Sequence, residues 1–120
     1  MGDGRRFRYP RSVRLRRGPD IRALLREGSR RRCGPLEVYR CDSPTRSPRA
    51  GIIVPRFGHT IVQRNRLKRR LREFVRTGWL PIAWGQNPVQ EILVRARPAA
   101  YSTELGTLRE ALDSCLGITR

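Results

Sequence analysis

The chain has 120 residues and a formal net charge of +17, because 27 lysine and arginine residues face only 10 aspartates and glutamates. A domain of this length must hold that charge against its own repulsion, so the composition favours a polyanionic partner such as nucleic acid. No apolar run is long enough to span a bilayer, and the amino terminus lacks the apolar segment of a secretory signal. We therefore expect neither a membrane protein nor a secreted one.

The positive charge is concentrated in the first two-thirds of the chain. Residues 1–76 hold 23 basic and 6 acidic side chains, whereas residues 77–120 hold four of each. Residues 1–17 are rich in arginine and poor in apolar side chains, a composition that cannot bury enough surface to order itself. The sequence thus predicts a flexible basic arm over residues 1–17 and a single domain over residues 18–120.

The cysteines and the single histidine give no sign of a metal site or of side-chain catalysis. Cys33, Cys41 and Cys115 form no CxxC pair and leave an odd number, which is typical of free thiols in a reducing cytoplasm. His59 has no obvious chemical partner, and the carboxylates are not clustered as a metal or an activated water would require. We expect no disulfide-linked partner, no metal ligand and no catalytic residue in this chain.

Short elements alternate along the first half of the domain. A helix is predicted to begin at residues 18–20, where a proline suits the first turn, and to end at Gly28. Strands are predicted over residues 36–41 and 49–54, and the second is apolar enough to be a central strand. A third main strand is predicted over residues 91–97. Alternate side chains of the first and third strands are assigned to opposite faces of the sheet.

The longest predicted helix begins at Thr60, which forms a capping box with Gln63, and ends at Gly78. Its apolar stripe consists of Leu67, Leu71, Phe74 and Val75. This spacing predicts that one side of the helix docks on a sheet.

The last third of the chain is predicted as a loop followed by a helix. The loop covers residues 79–88, and its Trp79 and Trp84 are expected to pack rather than to stack on bases. Ser102 or Thr103 is expected to cap the final helix. Its predicted core face consists of Leu105, Leu108, Leu112, Cys115 and Leu116, with Gly117 at its end.

The side of the longest helix opposite its apolar stripe is strongly basic. Projected at 100° per residue, it carries Asn65, Arg66, Arg69, Arg72 and Arg76, with Arg64, Lys68 and Arg70 toward its borders. Like charges at these spacings each cost roughly a few tenths of a kcal/mol, and the only acid available is Glu73, which can pair with Arg69 and Arg76. A helix that keeps these charges is expected to bind a polyanion, with an affinity that falls steeply with salt.

Composition leaves more than one nucleic-acid-binding protein open. A ribosomal protein is also small, basic and of mixed α/β structure. A DNA-binding module could place the basic helix in a major groove, although no short helix precedes Thr60 at helix-turn-helix spacing. A standalone nuclease is the least supported alternative, because its metal ligands or its general base are missing from the pattern.

One motif carries a specific resemblance. Residues 63–73, QRNRLKRRLRE, closely resemble the signature helix of the protein subunit of bacterial ribonuclease P, the ribonucleoprotein that removes the 5′ leader from precursor tRNA. The order of elements around this helix is similar to that family over roughly residues 14–117. The resemblance implies an α+β two-layer sandwich with the ribosomal-protein-S5-domain-2-like fold: about four strands packed with three helices, and a left-handed βαβ crossover through the signature helix.

The resemblance also implies a division of labour between protein and RNA. The RNA subunit would perform the reaction with Mg²⁺ that is bound mainly by the RNA and the substrate, while the protein helps to hold precursor tRNA. The residues expected to bind the RNA subunit are Arg56, Arg64, Asn65, Arg66, Lys68, Arg69, Arg72 and Arg76. The residues expected to line a cleft for the 5′ leader are Arg14, Ile21, Leu25, Tyr39, Arg95 and Arg97.

Two departures from the family pattern affect these expectations. The family usually has aromatic residues in the first helix, where this chain has Ile21 and Leu25, so binding of the leader would depend more on Tyr39 and on charge. Ordinary core packing is the alternative role for both aliphatic residues. Just ahead of the signature helix the family often has a Ser-Lys-Lys run, where this chain has Pro55, Arg56 and Phe57. Arg56 keeps a cation but Phe57 does not, and Phe57 could either stack on RNA or close the core.

Overall fold

A four-stranded mixed sheet forms the centre of the computed structural model, which describes residues 11–118. The strands are β1 (Ser29–Cys33), β2 (Leu36–Asp42), β3 (Arg49–Ile53) and β4 (Gln90–Ala96), in the order β1-β2-β4-β3. β2 pairs antiparallel with β1 and β4, and β3 pairs parallel with β4. The predicted α+β class and the four strands implied by the resemblance are confirmed.

Three helical units surround the sheet. They are α1 (Gly18–Glu27), a long unit that begins with α2 (Ile61–Phe74), and α4 (Leu105–Leu116). α2 continues through a π-helical segment (Val75–Trp79) into α3 (Leu80–Ala83). This long unit connects β3 to its parallel neighbour β4 and so forms the expected βαβ crossover. The left-handedness of this crossover stays a prediction.

The two faces of the sheet bury separate apolar clusters, as the alternation in β2 and β4 predicts. On one face, Leu36, Val38, Ile92 and Val94 pack with Leu67 and Leu71 of α2, with Trp79 and Leu80, and with Leu108 and Leu112 of α4. On the other face, Tyr39 and Leu93 pack with Leu15 and with Leu24 of α1. The sheet is therefore covered fully on one side and only in part, by α1, on the other.

A buried ion-pair network ties α1 to the sheet. Glu91 in β4 is 5% exposed, and its carboxylate accepts hydrogen bonds of 3.0 and 2.7 Å from Arg49 in β3. Arg49 also donates to Asp20 of α1 at 3.4 Å. Burial removes water from the Glu91 carboxylate, and its pairing with Arg49 offsets the free-energy cost of burying that charge.

The ordered structure begins before α1. Val13 is fully buried in the first cluster, and Leu15 is 3% exposed in the second. The Leu15 N–H donates to the Ala50 carbonyl oxygen at 2.9 Å, and Arg14 bridges to Ala50. The expectation of a flexible arm was wrong for residues 11–17, because two apolar residues suffice to anchor them across the sheet edge. Residues 1–10, for which the arm stays a prediction, lie outside the described residues.

Two of the strand expectations also need correction. β3 is an edge strand of the sheet rather than a central one. Its apolar composition is explained by coverage, since residues 13–15 lie along its outer side. β1 was not predicted from the residues, because three of its five side chains are arginines and four are exposed. It forms a hairpin with β2 through Gly34, whose φ of 55° suits glycine.

The long helical unit does not end at Gly78 as predicted. Residues 79–83, expected in a loop, continue it, because Trp79 and Leu80 are 1% and 0% exposed in the core. Burial of these large side chains outweighs the helix penalty of one glycine, about 1 kcal/mol. The packing role predicted for Trp79 is confirmed, whereas Trp84 is 44% exposed.

The final helix differs from prediction at its start. Leu105 is 47% exposed and is not a core residue, although the other four predicted core residues are buried. The N-cap is Glu104, which makes no side-chain capping bond. The hydroxyls of Ser102 and Thr103 instead donate to the Ala99 carbonyl oxygen, at 3.2 and 2.7 Å. They therefore close the preceding 3₁₀ turn rather than the helix.

The capping box of α2 is present as predicted. The Thr60 hydroxyl accepts from the Gln63 N–H at 3.1 Å, and the Gln63 side-chain oxygen accepts from the Thr60 N–H at 2.9 Å. We expect Thr60→Ala to lower the free energy of unfolding by about 1 kcal/mol, as measured by urea denaturation. Thr60→Ser keeps the hydroxyl and should retain most of that stability. An unchanged midpoint for Thr60→Ala would mean that the box contributes nothing in the folded protein.

The three cysteines are free thiols with different environments. Burial raises the pKa of Cys41 to about 11, with the charge of Glu91 adding to the effect, and burial raises that of Cys115 to about 12. Burial alone would also raise the pKa of Cys33, but hydrogen bonding with Cys115 and Ser114 and the charge of Arg31 lower it overall.

Reaction with a thiol reagent should follow these pKa values. Because the thiolate is the reactive form, iodoacetamide at pH 8 is expected to modify Cys33 before the other two, as followed by peptide mass spectrometry. The rate at Cys33 should level off at a lower pH than that of an ordinary thiol. Equal rates at all three cysteines in the folded protein would contradict the assignment.

Candidate nucleic-acid interface

Packing of α2 determines which of its side chains face outward. Leu67, Leu71 and Val75 are 4%, 0% and 0% exposed, and Phe74 is half-buried against the same cluster. The predicted apolar stripe is thus confirmed as the docking side. Since side chains at intervals of three and four share a face, the arginines between them must point away from the sheet.

The outward side of α2 carries a basic face with few internal partners. Its exposed members are Asn65, Arg66, Arg69, Arg70 and Arg72, and its half-buried members are Arg64 and Lys68. Within residues 11–118, the one ion pair on this unit joins Arg76 to Glu73, at 2.6 Å. The hydrogen bonds from Arg76 hold the pKa of the Glu73 carboxyl below its usual value. The expected pair of Glu73 with Arg69 is not formed. Among the residues predicted to bind the RNA subunit, Arg76 is therefore the one that a carboxylate of residues 11–118 neutralises.

A groove lies between β3 and the first turns of α2. It has a volume of about 400 Å³ and is lined by Ile52, Ile53, Val54, Arg56, Ile61, Arg64, Asn65 and Lys68. The Arg64 Nε donates to the Thr60 carbonyl oxygen at 3.4 Å, which holds its guanidinium beside the groove. The groove therefore brings together four of the residues predicted to bind the RNA subunit, including Arg56 from the loop.

The part of the sheet that α1 leaves uncovered forms a second basic surface. A hollow of about 290 Å³ there is lined by Glu37, Ile53, Pro55, Arg95, Ala96, Arg97 and Pro98. Glu37 is 4% exposed, and its carboxylate pairs with Arg30 at 2.8 Å and with Arg97 at 3.6 Å. Arg95 is exposed and has no carboxylate partner among the described residues. Two of the residues predicted for the leader cleft, Arg95 and Arg97, thus line one hollow.

The other predicted cleft residues do not line this hollow, and their exposure differs. Tyr39 is 7% exposed within the cluster below α1, and Ile21 and Leu25 are half-buried against it. A ring this deeply buried offers no open face for a base to stack on, so the suggested dependence on Tyr39 needs correction. Arg14 is exposed at the sheet edge. This surface therefore offers RNA positive charge rather than an aromatic ring.

Two further arginines on this surface were not predicted. Arg30 lies opposite Tyr39 and Arg32 lies opposite Glu37 in the β1–β2 pairing, so both belong to the face that α1 covers in part. β1 has no alternation of apolar and polar side chains from which the strand could have been predicted. The signal available in the sequence was the Gly34 turn ahead of β2, which permits a hairpin and would have placed an antiparallel strand before it.

Neither surface offers a metal site. No three histidine, cysteine, aspartate or glutamate side chains within residues 11–118 lie close enough together to hold a metal ion. The two buried carboxylates, Glu37 and Glu91, are each engaged by arginine. In the same part of the chain no helix is both long and apolar enough to cross a membrane. The chemistry that both surfaces can supply is the binding of phosphates and of the bases between them.

Solved structures from two bacteria have a fold similar to this one. The ribonuclease P protein of Staphylococcus aureus superposes with a TM-score of 0.74 at 23% identity, covering 88% of this chain and 93% of that one. The ribonuclease P protein of Thermotoga maritima superposes with a TM-score of 0.69 at 27% identity, covering 86% and 94%. The first likeness concerns the fold alone.

Sequence comparisons extend the likeness to the family. The ribonuclease P protein component of Acidothermus cellulolyticus is 38% identical over 112 residues, which cover 90% of this chain and 88% of that protein. That of Micrococcus luteus is 36% identical over 117 residues, with the same coverage. The family model for ribonuclease P matches residues 9–120. The arginine face of α2 and these matches together show that the chain belongs to the ribonuclease P protein component family, whose work is tRNA processing.

Proposed function

We propose that this chain is the RNA-binding, non-catalytic subunit of ribonuclease P and that it uses its two basic surfaces for different RNAs. The outward face of α2, with Arg56, binds the catalytic RNA. The open sheet face, with Arg95 and Arg97, binds the 5′ leader of precursor tRNA. The RNA subunit then cleaves the leader in the cytoplasm.

The observation that carries this proposal is the unneutralised charge of α2. Six basic side chains between Arg64 and Arg72 have no carboxylate partner within residues 11–118. Repulsion among like charges at these spacings destabilises the helix by roughly a few tenths of a kcal/mol per pair. A phosphate backbone removes that repulsion, and arginine binds it with two parallel hydrogen bonds. A structured RNA is therefore the partner that fits this face.

Mg²⁺ is proposed to be a cofactor of the RNA rather than of this chain. The fit of the protein to the ion is poor, because Mg²⁺ needs free oxygen ligands. Glu37 and Glu91, the buried carboxylates, are held by arginines at 2.8 and 2.7 Å. By reducing the repulsion between RNA and substrate, the cationic surfaces should lower the Mg²⁺ concentration that the complex requires.

Reconstitution tests the function. The full chain is mixed with ribonuclease P RNA from the same genome, and cleavage of precursor tRNA is followed at low Mg²⁺. We expect the chain to raise cleavage by the RNA and to cleave nothing by itself. Cleavage by the chain alone would overturn the non-catalytic role. Binding to the RNA without any gain in cleavage would favour a structured-RNA-binding protein that has no processing role.

The leader surface has its own test. Arg95→Ala is expected to weaken binding of the reconstituted complex to precursor tRNA roughly fivefold at 0.15 M salt, as the loss of one phosphate contact predicts. Binding of a substrate with a single-nucleotide leader should not change, because it cannot reach the hollow. Arg109→Ala, which removes an exposed arginine of α4, is the matched control. Equal weakening for both leaders would mean that Arg95 does not contact the leader.

A further inference from the structure

An aromatic side chain stands exposed at the edge of the α2 basic face. Phe57, in the loop between β3 and α2, is 98% exposed. Ile61 and Val62, in the first turn of α2, are each 66% exposed. We call these three side chains the apolar patch. Phe57 contributes nothing to the core, which removes one of the two roles that its sequence position allowed.

The loop that carries Phe57 is anchored by contacts on both sides of it. The Tyr101 hydroxyl donates to the Pro55 carbonyl oxygen at 2.6 Å, and the Tyr101 ring stacks on His59 with centroids 3.6 Å apart. The His59 N–H closes a turn onto the Arg56 carbonyl oxygen at 3.3 Å. These contacts restrict the movement of the backbone that carries Phe57, and a restricted side chain loses less entropy on binding.

Charge around the apolar patch decides what can cover it. Arg56, Arg64 and Lys68 line the groove next to Ile61, and none of them has a carboxylate partner among the described residues. A second copy of this chain would bring the same cations close to these, and the like charges would repel. An RNA that exposes an unpaired base offers an apolar ring for Phe57 and phosphates for the cations.

We propose that Phe57 stacks on an unpaired base of the ribonuclease P RNA while Arg56, Arg64 and Lys68 bind phosphates next to that base. This inference rests on the proposed function, because it assigns a specific contact to the face of α2 that binds the RNA subunit. It adds an uncharged contact to an interface that otherwise depends on charge.

Equilibrium binding of the full chain to ribonuclease P RNA, without precursor tRNA, tests the contact. Phe57→Ala is expected to weaken binding about fivefold or more, the typical loss for one stacked base. The factor should be the same at every salt concentration, because no counterion release is lost. Trp84→Ala removes another exposed aromatic side chain, from the neutral part of the chain, and should bind like the parent. Both variants are checked for an unchanged unfolding midpoint.

A second variant reports the stack directly. Phe57→Trp should retain affinity, and its added fluorescence, relative to the parent, should be quenched when the RNA binds. Parent-like affinity of Phe57→Ala would overturn the stacking contact while leaving the proposed function intact. Failure of the parent itself to bind this RNA would overturn the proposed function. If Phe57→Ala turns a dimer into a monomer in sedimentation without loss of RNA affinity, the apolar patch joins two copies and the inference is wrong.

Discussion

Replacing Arg66 and Arg69 together by alanine is expected to weaken binding to ribonuclease P RNA roughly 30-fold at 0.15 M salt. Both side chains are exposed on the outward face of α2 and have no carboxylate partner within residues 11–118. Each phosphate contact releases about one counterion, so the slope of log affinity against log salt should become shallower by about two units. Filter binding over a range of salt concentrations measures both quantities.

The matched control keeps the charge and changes the geometry. Arg66→Lys with Arg69→Lys should retain most of the salt dependence, because each lysine still displaces a counterion. The same variant should lose the bidentate hydrogen bonds that arginine forms with phosphate. The free energy of unfolding should be unchanged in both double variants or rise slightly, since repulsion along α2 is relieved. A clear loss of stability in the alanine variant would show that these side chains support the fold rather than the interface.

Local signals in the sequence predicted the parts of the fold that local interactions determine. The start of α2 was predicted because Thr60 and Gln63 bond within one turn. The end of this helix was not predicted, because the helix continues past Gly78 only when Trp79 is buried in the core. That outcome depends on elements distant in the chain, and no local pattern contains it.

The same distinction applies to the binding surfaces. A helical projection predicted the arginine face of α2, because the projection needs only the period of one helix. The groove that joins Arg56 to Arg64 depends on how the loop turns back against β3. The burial of Tyr39 depends on α1 lying over it. The resemblance named residues for both surfaces, but it could not say which of them the fold would bury.

Leu71→Ala is expected to lower the free energy of unfolding by roughly 2–5 kcal/mol, because it leaves a cavity in a close-packed cluster. Leu71 is fully buried between α2 and the sheet. Urea denaturation should show a lower midpoint with an unchanged slope, since the surface exposed on unfolding stays the same. Affinity for ribonuclease P RNA should be retained under conditions in which the variant is folded, because the arginine face is untouched.

Leu105→Ala provides the comparison that makes this result interpretable. Both leucines lie in helices, and the sequence pattern assigned both to the core, yet Leu105 is 47% exposed. The same chemical change at Leu105 should therefore cost less than about 1 kcal/mol, since little apolar surface returns to water. Equal losses at the two positions would mean that burial does not determine the effect, since alanine favours the helix at least as well as leucine. A loss confined to Leu71 would assign it to the cavity left between α2 and the sheet.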